Sequence, residues 1–177
     1  YDLKQGIIRK QPDILACSNY PWNFELSVLF LKYAKSINKD IITVMGGPNI
    51  SYKRSDQSLL MHKLRSILDF HILYEGESAF KSLLEQYFKL DYDLFSLKKS
   101  SIPGCIYLND DELNDYIQLD RVENLSEFPS PYLNGLMDKF FDDKLSPMIE
   151  THRGCPFSCT YCHEGHKSYN NVNRHDT

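Results

Sequence analysis

Ile41-Ile42-Thr43-Val44-Met45-Gly46-Gly47-Pro48, residues 41–48, is the stretch on which the fold turns. A β-branched and apolar run proceeds without polar alternation and stops at two glycines and a proline. β-Branched side chains favour extended backbone, and a run with no polar face fits a strand covered on both sides. Working outward, Ile14-Leu15-Ala16-Cys17-Ser18 is a second short apolar strand, set off by Pro12-Asp13 from an amphipathic start. Between the two, Asn23 is placed to cap a helix with Leu26, Leu29, Phe30, Tyr33 and Ile37 at helical spacing. Residues 53–68 predict another helix, with Leu60, Leu64 and Ile67 inward. Phe70–Tyr74 predicts a third strand, and Glu75-Gly76-Glu77-Ser78 leads into a helix burying Phe80, Leu83, Leu84, Tyr87 and Phe88. Apolar strands alternating with helices predict an α/β fold, an open parallel sheet covered on both faces.

Beyond Asp91 the composition changes. Residues 91–127 hold nine acidic and three basic side chains, arranged around Gly104-Cys105-Ile106-Tyr107-Leu108 and an Asn109-Asp110-Asp111 turn. That pattern predicts a solvent-facing hairpin. Cys17 and Cys105 sit inside apolar runs and read as buried thiols. Phe128-Pro129-Ser130-Pro131 reads as a linker, and Leu133 to Phe141 as a short helical piece. Pro147-Met148-Ile149-Glu150-Thr151 predicts a strand running directly into a cysteine-rich loop. The chain has 177 residues, 42% of them hydrophobic, and a formal charge of −4 with its few basic clusters scattered. Nothing there suggests a nucleic-acid surface, and no apolar stretch is long enough to span a bilayer. The expectation is a cytoplasmic protein.

The cysteine loop is Thr151-His152-Arg153-Gly154-Cys155-Pro156-Phe157-Ser158-Cys159-Thr160-Tyr161-Cys162-His163-Glu164-Gly165. Cys155, Cys159 and Cys162 are spaced C-x3-C-x2-C with no fourth cysteine following. Three thiolates on one loop can hold three irons of a cubane 4Fe–4S cluster and leave the fourth iron open to a small molecule. Zinc competes, because His163 or His166 would complete a Cys3His set; structural zinc sites usually draw ligands from two separated pairs, whereas these crowd one segment. A disulfide fits poorly with five cysteines, an odd number, and no secretory signal peptide. The cluster is the reading that best accounts for the spacing.

Arg153-Gly154-Cys155-Pro156 through Tyr161-Cys162 resembles the signature loop of the radical S-adenosylmethionine superfamily. The resemblance implies that the three cysteines hold the cluster, that S-adenosylmethionine chelates the open iron, and that Tyr161 lies beside its adenine. It implies reductive cleavage to a 5′-deoxyadenosyl radical, with the electron drawn from a donor such as flavodoxin or ferredoxin. His163, Glu164 and His166 inherit no role from it.

In an open parallel sheet ligands collect where the strands end, here at Ser18-Asn19-Tyr20-Pro21-Trp22 and Gly46-Gly47-Pro48-Asn49. Together with the cysteine loop, these segments resemble the cobalamin-binding domain that precedes the barrel in one radical S-adenosylmethionine class. That resemblance implies cobalamin contacts at Ser18, Gly46 and Gly47, and Tyr20 and Trp22 are candidates to cover its lower face. Many cobalamin domains carry an Asp-x-His-x-x-Gly motif; Asp69-Phe70-His71 imitates its start, but Tyr74 stands where glycine should, so His71 is expected to be structural.

The implied organisation is a cobalamin-binding-like domain over 1–125, a linker over 126–145, and the start of a radical barrel over 146–177. A chain that begins at Tyr1 and stops fifteen residues after Cys162 is expected to be a fragment lacking a first strand and later βα units. The implied activity is a cobalamin-dependent methyltransferase acting on an unactivated carbon of a small-molecule substrate, with no catalytic residue assigned beyond the cluster. The alternatives are a rearrangement or cyclisation with the same cofactors, an empty α/β scaffold beside the cluster, and a zinc-stabilised binding module without catalysis.

Overall fold

The computed structural model describes residues 3–142, 144–162, 165 and 172–174. They fall into two compact units, Tyr1–Leu119 and Asp120–Thr177. The first carries helix α1 (Leu3–Lys10), strand β1 (Ile14–Ser18), α2 (Phe24–Ile37), β2 (Ile42–Gly46), α3 (Arg54–Lys63), β3 (Phe70–Ile72), α4 (Gly76–Lys89), α5 (Leu94–Lys99) and β4 (Cys105–Ile106). A hairpin of β5 (Leu108–Asn109) and β6 (Glu112–Leu113) closes it.

The sheet has four strands in the order β1-β2-β3-β4. β1, β2 and β3 are parallel, whereas β4 runs antiparallel at the edge, pairing Ile72 with Cys105 and His71 with Ile106. The sheet is therefore mixed. The segment expected to form a solvent-facing hairpin divides: Cys105, Ile106 and Tyr107 are buried, and only the residues around Asp110-Asp111 make the exposed turn. An apolar triplet next to an unfilled sheet edge gains more by pairing with β3 than by facing water.

Helices cover both faces. Leu31 of α2 and Met61 of α3 pack with Met45, Leu64, Leu68 and Leu73 in one cluster. Ala79, Leu83 and Tyr87 of α4 and Leu97 of α5 pack with Ile42, Val44, Phe70 and Ile72 in another. Right-handed crossovers between successive parallel strands put α2 and α3 together. The β2 side chains, shared between the two clusters, are buried throughout Ile42–Met45, as the unbroken apolar run predicts.

Several helical stripes differ from expectation. In α2 the buried residues are Ser27, Leu31 and Ala34, while Leu26 (53% exposed), Leu29 (54%) and Ile37 (42%) face outward. Small residues win the inner stripe because they let the helix approach the sheet, and the Ser27 hydroxyl donates to the Ser18 carbonyl at 2.8 Å. In α4, Ala79, Leu83 and Tyr87 are buried; Phe80 is only partly so, and Phe88 is exposed. α3 stops at Lys63 rather than continuing to 68; Leu64 and Leu68 are still buried, in the turn that follows. β3 ends at Ile72, and Tyr74 adopts φ +59°, which no strand accommodates.

One buried charge ties the layers together. Asp69, just before β3, accepts from Lys35 Nζ of α2 at 2.6 Å and from Lys98 Nζ of α5 at 2.8 Å. It also accepts from the Thr43 backbone N–H at 3.0 Å and the Thr43 hydroxyl at 2.9 Å. Burial alone would raise its pKa; the Lys98 charge and the hydrogen bonds from both lysines outweigh that and hold it below the ordinary carboxylate value.

The second unit has little regular structure among its described residues. Short 3-10 turns occupy Leu125–Glu127 and Asp138–Phe140, and β7 (His152–Arg153) pairs antiparallel with β8 (Asn173–Arg174). The strand expected over 147–151 does not form. Met148 (87%) and Ile149 (75%) are exposed, and among the described residues no strand pairs with the segment; the Met148 N–H donates instead to the Tyr132 hydroxyl at 3.1 Å.

Asp69→Ala should lower the unfolding free energy by about 3–5 kcal/mol, because two ammonium groups lose the carboxylate that draws them inward. A urea titration of the variant reads this directly. Since the folded-state pKa is depressed, the contribution is present at neutral pH and disappears only as pH falls through the acidic range below 3.8.

Candidate functional site

At the carboxyl edge of the parallel strands the backbone brings Ser18 and Gly46 together as register partners. The Asn19 backbone N–H donates to the Gly46 carbonyl at 2.6 Å, and the Asn49 N–H donates to the Asn19 carbonyl at 3.1 Å. Gly47 lies between them with φ +133°, and a Cβ there would stand 2.6 Å from the Asn19 carbonyl oxygen. No side chain fits that space. The glycine is thus required by the close approach of the two strand-end loops to each other.

The residues that fix these loops are Asn19, Asn49 and His71, none of which the sequence marked as site residues. Asn19 is fully buried; its amide nitrogen donates to the Asn49 carbonyl at 3.0 Å and faces His71 Nε2 at 2.9 Å. Its amide oxygen accepts from Asn49 Nδ2 at 3.0 Å. His71 Nδ1 is 2.8 Å from the Ile72 carbonyl, an acceptor, so Nδ1 carries the proton and Nε2 accepts from Asn19. Burial lowers the His71 pKa to about 4, opposed by its bond to the Ile72 carbonyl. The imidazole is therefore neutral and structural in this chain.

Ser18 is exposed, and its hydroxyl accepts from Asn23 Nδ2 at 2.7 Å. Asn23 occupies the N-cap of α2, but its side-chain oxygen accepts from the Tyr20 N–H at 2.8 Å rather than capping the helix. Tyr20 and Trp22 stack with ring centroids 4.7 Å apart, and Trp22 is 80% exposed. Cys105 is buried and its thiol is pushed up to about 12, while Cys17 is half-buried and raised for the same reason. Neither belongs to the loop bearing the other three cysteines.

In the second unit Arg153 organises the approach to that loop. Its guanidinium meets the Glu150 carboxylate at 3.1 Å through Nε and 2.7 Å through Nη2, and lies 6.0 Å from the Phe128 ring centroid. Its carbonyl accepts from Arg121 Nη2 at 3.3 Å. The loop then winds in short turns: the Cys162 N–H donates to the Cys159 carbonyl at 3.2 Å, and the Gly165 N–H to the Cys162 carbonyl at 3.1 Å. A Cβ at Gly165 would run into the Cys159 backbone, so this glycine is fixed by the turn.

Cys155 is half-buried, and Cys159 and Cys162 are exposed. Tyr161 is 91% exposed. Three thiols on one short loop are the right donor chemistry for iron–sulfur ligation. The geometry is less complete: among the described residues no three His, Cys, Asp or Glu side chains are gathered to hold a metal ion. His163, Glu164 and His166 lie outside the described residues. Among the described residues no helix is long and apolar enough to cross a membrane.

No family model matches the chain. Over 170 residues it is 29% identical to the cobalamin-dependent radical SAM methyltransferase TokK of Streptomyces tokunonensis, covering 93% of the chain and 23% of that protein. The chain resembles the cobalamin-binding class of radical S-adenosylmethionine proteins. It is also 30% identical over 160 residues to a 2-(S-pantetheinyl)-carbapenam-3-carboxylate methyltransferase of Streptantibioticus cattleyicolor, covering 87% of the chain and 22% of that protein. An uncharacterised methyltransferase of Pyrococcus horikoshii is 28% identical over 163 residues, covering 91% of the chain and 33% of the relative. The chain thus spans about a fifth to a third of the length of these relatives.

The neutral His71 has a pH signature. Above 6.5 neither state is protonated there; between 6.5 and about 4 the unfolded chain binds a proton that the folded chain refuses. Stability should therefore fall with acidification across that window, with a slope approaching about 1.4 kcal/mol per pH unit. Urea midpoints measured in steps from neutral to mildly acidic pH test this, and His71→Gln should flatten the slope.

Proposed function

We propose that the chain is part of a cobalamin-dependent radical S-adenosylmethionine methyltransferase. Residues 1–125 form its cobalamin-binding part, 126–145 its linker, and 146–177 the start of its radical core. The observation that carries this reading is a coincidence within one chain. The C-x3-C-x2-C loop occurs in a polypeptide similar, over 93% of its length, to a protein named for that chemistry.

On this reading Cys155, Cys159 and Cys162 hold a 4Fe–4S cluster, and the exposed ring of Tyr161 lies against the adenine of S-adenosylmethionine. When bound, the cluster with S-adenosylmethionine supplies a 5′-deoxyadenosyl radical, and cobalamin supplies the methyl group. The polypeptide's part is to position them. Arg153, through Glu150 and Phe128, aims the segment entering the loop, and Gly165 lets the loop close on the Cys159 backbone. At the other site the Ser18 hydroxyl accepts from Asn23 and keeps its own proton to donate to the corrinoid. The Asn19–His71–Asn49 network holds the Gly46-Gly47 turn that borders it. A small-molecule substrate and a one-electron donor such as flavodoxin or ferredoxin complete the system.

Anaerobic reconstitution of the protein should give a brown species with about four irons per chain. Cys159→Ala should abolish iron retention, while Cys105→Ala, altering a thiol buried in the sheet, should leave it intact. Equal iron content in the two variants, or a colourless protein with one zinc, would overturn the assignment. A cobalamin spectrum that survives gel filtration and weakens in Ser18→Ala tests the second cofactor separately.

A further inference from the structure

Strand β1 is composed like an interior strand but stands at the edge of the sheet. Ile14-Leu15-Ala16-Cys17-Ser18 has no polar alternation, the pattern of a strand covered on both sides. Yet Ala16 and Ser18 are exposed and Ile14, Leu15 and Cys17 only half-buried, whereas Ile42–Met45 of β2 are buried throughout. Edge strands ordinarily carry a device against further pairing, such as a charged side chain, a proline or a bulge. β1 has none of them, and its register with β2 runs unbroken from Ile14 beside Ile42 to Ser18 beside Gly46.

The backbone shows which groups are left over. In a parallel pair the N–H and C=O of every second residue address the neighbour, and those of the residues between point away. The Ile42 N–H donates to the Asp13 carbonyl at 2.8 Å, and the Asn19 N–H to the Gly46 carbonyl at 2.6 Å. Odd-numbered residues therefore address β2, and Ile14, Ala16 and Ser18 turn their backbone outward. The Ser18 carbonyl takes the Ser27 hydroxyl at 2.8 Å. Among the described residues no strand pairs with Ile14 or Ala16 on that side. A row of outward amides and carbonyls beside apolar side chains fits one kind of partner, another extended segment.

Helix α1 fixes the direction and the source of that segment. Leu15 packs with Leu31 and Met61 in one cluster and with Ile7 and Ala34 in another, so α1 lies on the same sheet face as α2 and α3. On that face the chain advances from β1 through α2 to β2, and through α3 to β3. Crossovers between parallel strands keep one hand, so a parallel strand leading into α1 belongs on the side of β1 away from β2. That side is the open edge. We propose that the outer edge of β1 is an interaction surface for a strand of the same polypeptide ahead of α1. This strand runs parallel to β1 and bonds to Ile14, Ala16 and Ser18. The relatives leave room for it, since the chain spans only about a fifth to a third of their length. No cofactor takes part in the pairing.

Amide hydrogen exchange resolved to single residues tests it, comparing residues 1–177 with the natural polypeptide carrying its own sequence ahead of Tyr1. The Ile14, Ala16 and Ser18 amides should exchange at least about 100-fold more slowly in the longer chain. Leu15 and Cys17, already bonded to β2, should be protected in both. Ala16→Pro removes only an outward N–H, so residues 1–177 should still fold, while the longer chain should lose the added protection at Ile14 and Ser18. Equal exchange of the three amides in the two unsubstituted chains would overturn the proposal. So would protection within residues 1–177 that rises with protein concentration, because the occupant would then be a second copy.

Discussion

The first unit depends on the carboxylate of Asp69. A parallel sheet with helices on both faces has no intrinsic way to register its two outer layers against one another. Apolar packing is tolerant of sliding, because one methyl group serves nearly as well as the next. Asp69 removes that tolerance. It lies where β3 begins, takes Lys35 from α2 on one face and Lys98 from α5 on the other, and locks to Thr43 of the neighbouring strand. A charge so placed contributes little net stability relative to an apolar alternative, yet it is very costly to leave unpaired. What it secures is a single arrangement of layers, with the loops at the far end of the strands facing one way.

The two ends of the sheet consequently have opposite characters. Where the strands begin, the chemistry is ionic: Asp69 with its lysines, and the exposed Asp13 and Asp40. Where they end, it is neutral, with amides, a hydroxyl and an uncharged imidazole holding two loops together. A neutral surface made of backbone edges and amides offers directional hydrogen bonds without a strong field. That suits a large ligand carrying many amide groups better than a small ion.

Sequence patterning made the three parallel strands, their alternation with helices and the Gly46-Gly47 turn legible, because unbroken apolar runs ended by Gly or Pro have few other interpretations; the run over 147–151 was misleading, since it forms no strand. Inward faces were less legible. In α2 the apolar periodicity of Leu26, Leu29 and Ile37 pointed to a stripe that is in fact exposed, since periodicity does not register that Ser27 and Ala34 permit a closer approach. The antiparallel β4 was hidden because Cys105-Ile106 is too short to show its partner, and pairing depends on an edge left vacant by distant residues. The C-x3-C-x2-C spacing was plain to read, whereas Asn19, Asn49 and Gly165 carried no signal: each matters for one contact with backbone far away or folded back on itself.

The tautomer of His71 has a consequence for coordination chemistry. An imidazole binds a metal through the lone pair of its unprotonated nitrogen, and here that lone pair is directed into the buried amide of Asn19, in the loop after β1. To present it outward the ring would have to break with Asn19 and expose the Ile72 carbonyl it now satisfies. This histidine thus makes a poor axial base, and any cobalt centre seated over these strands must find its lower ligand elsewhere or go without one.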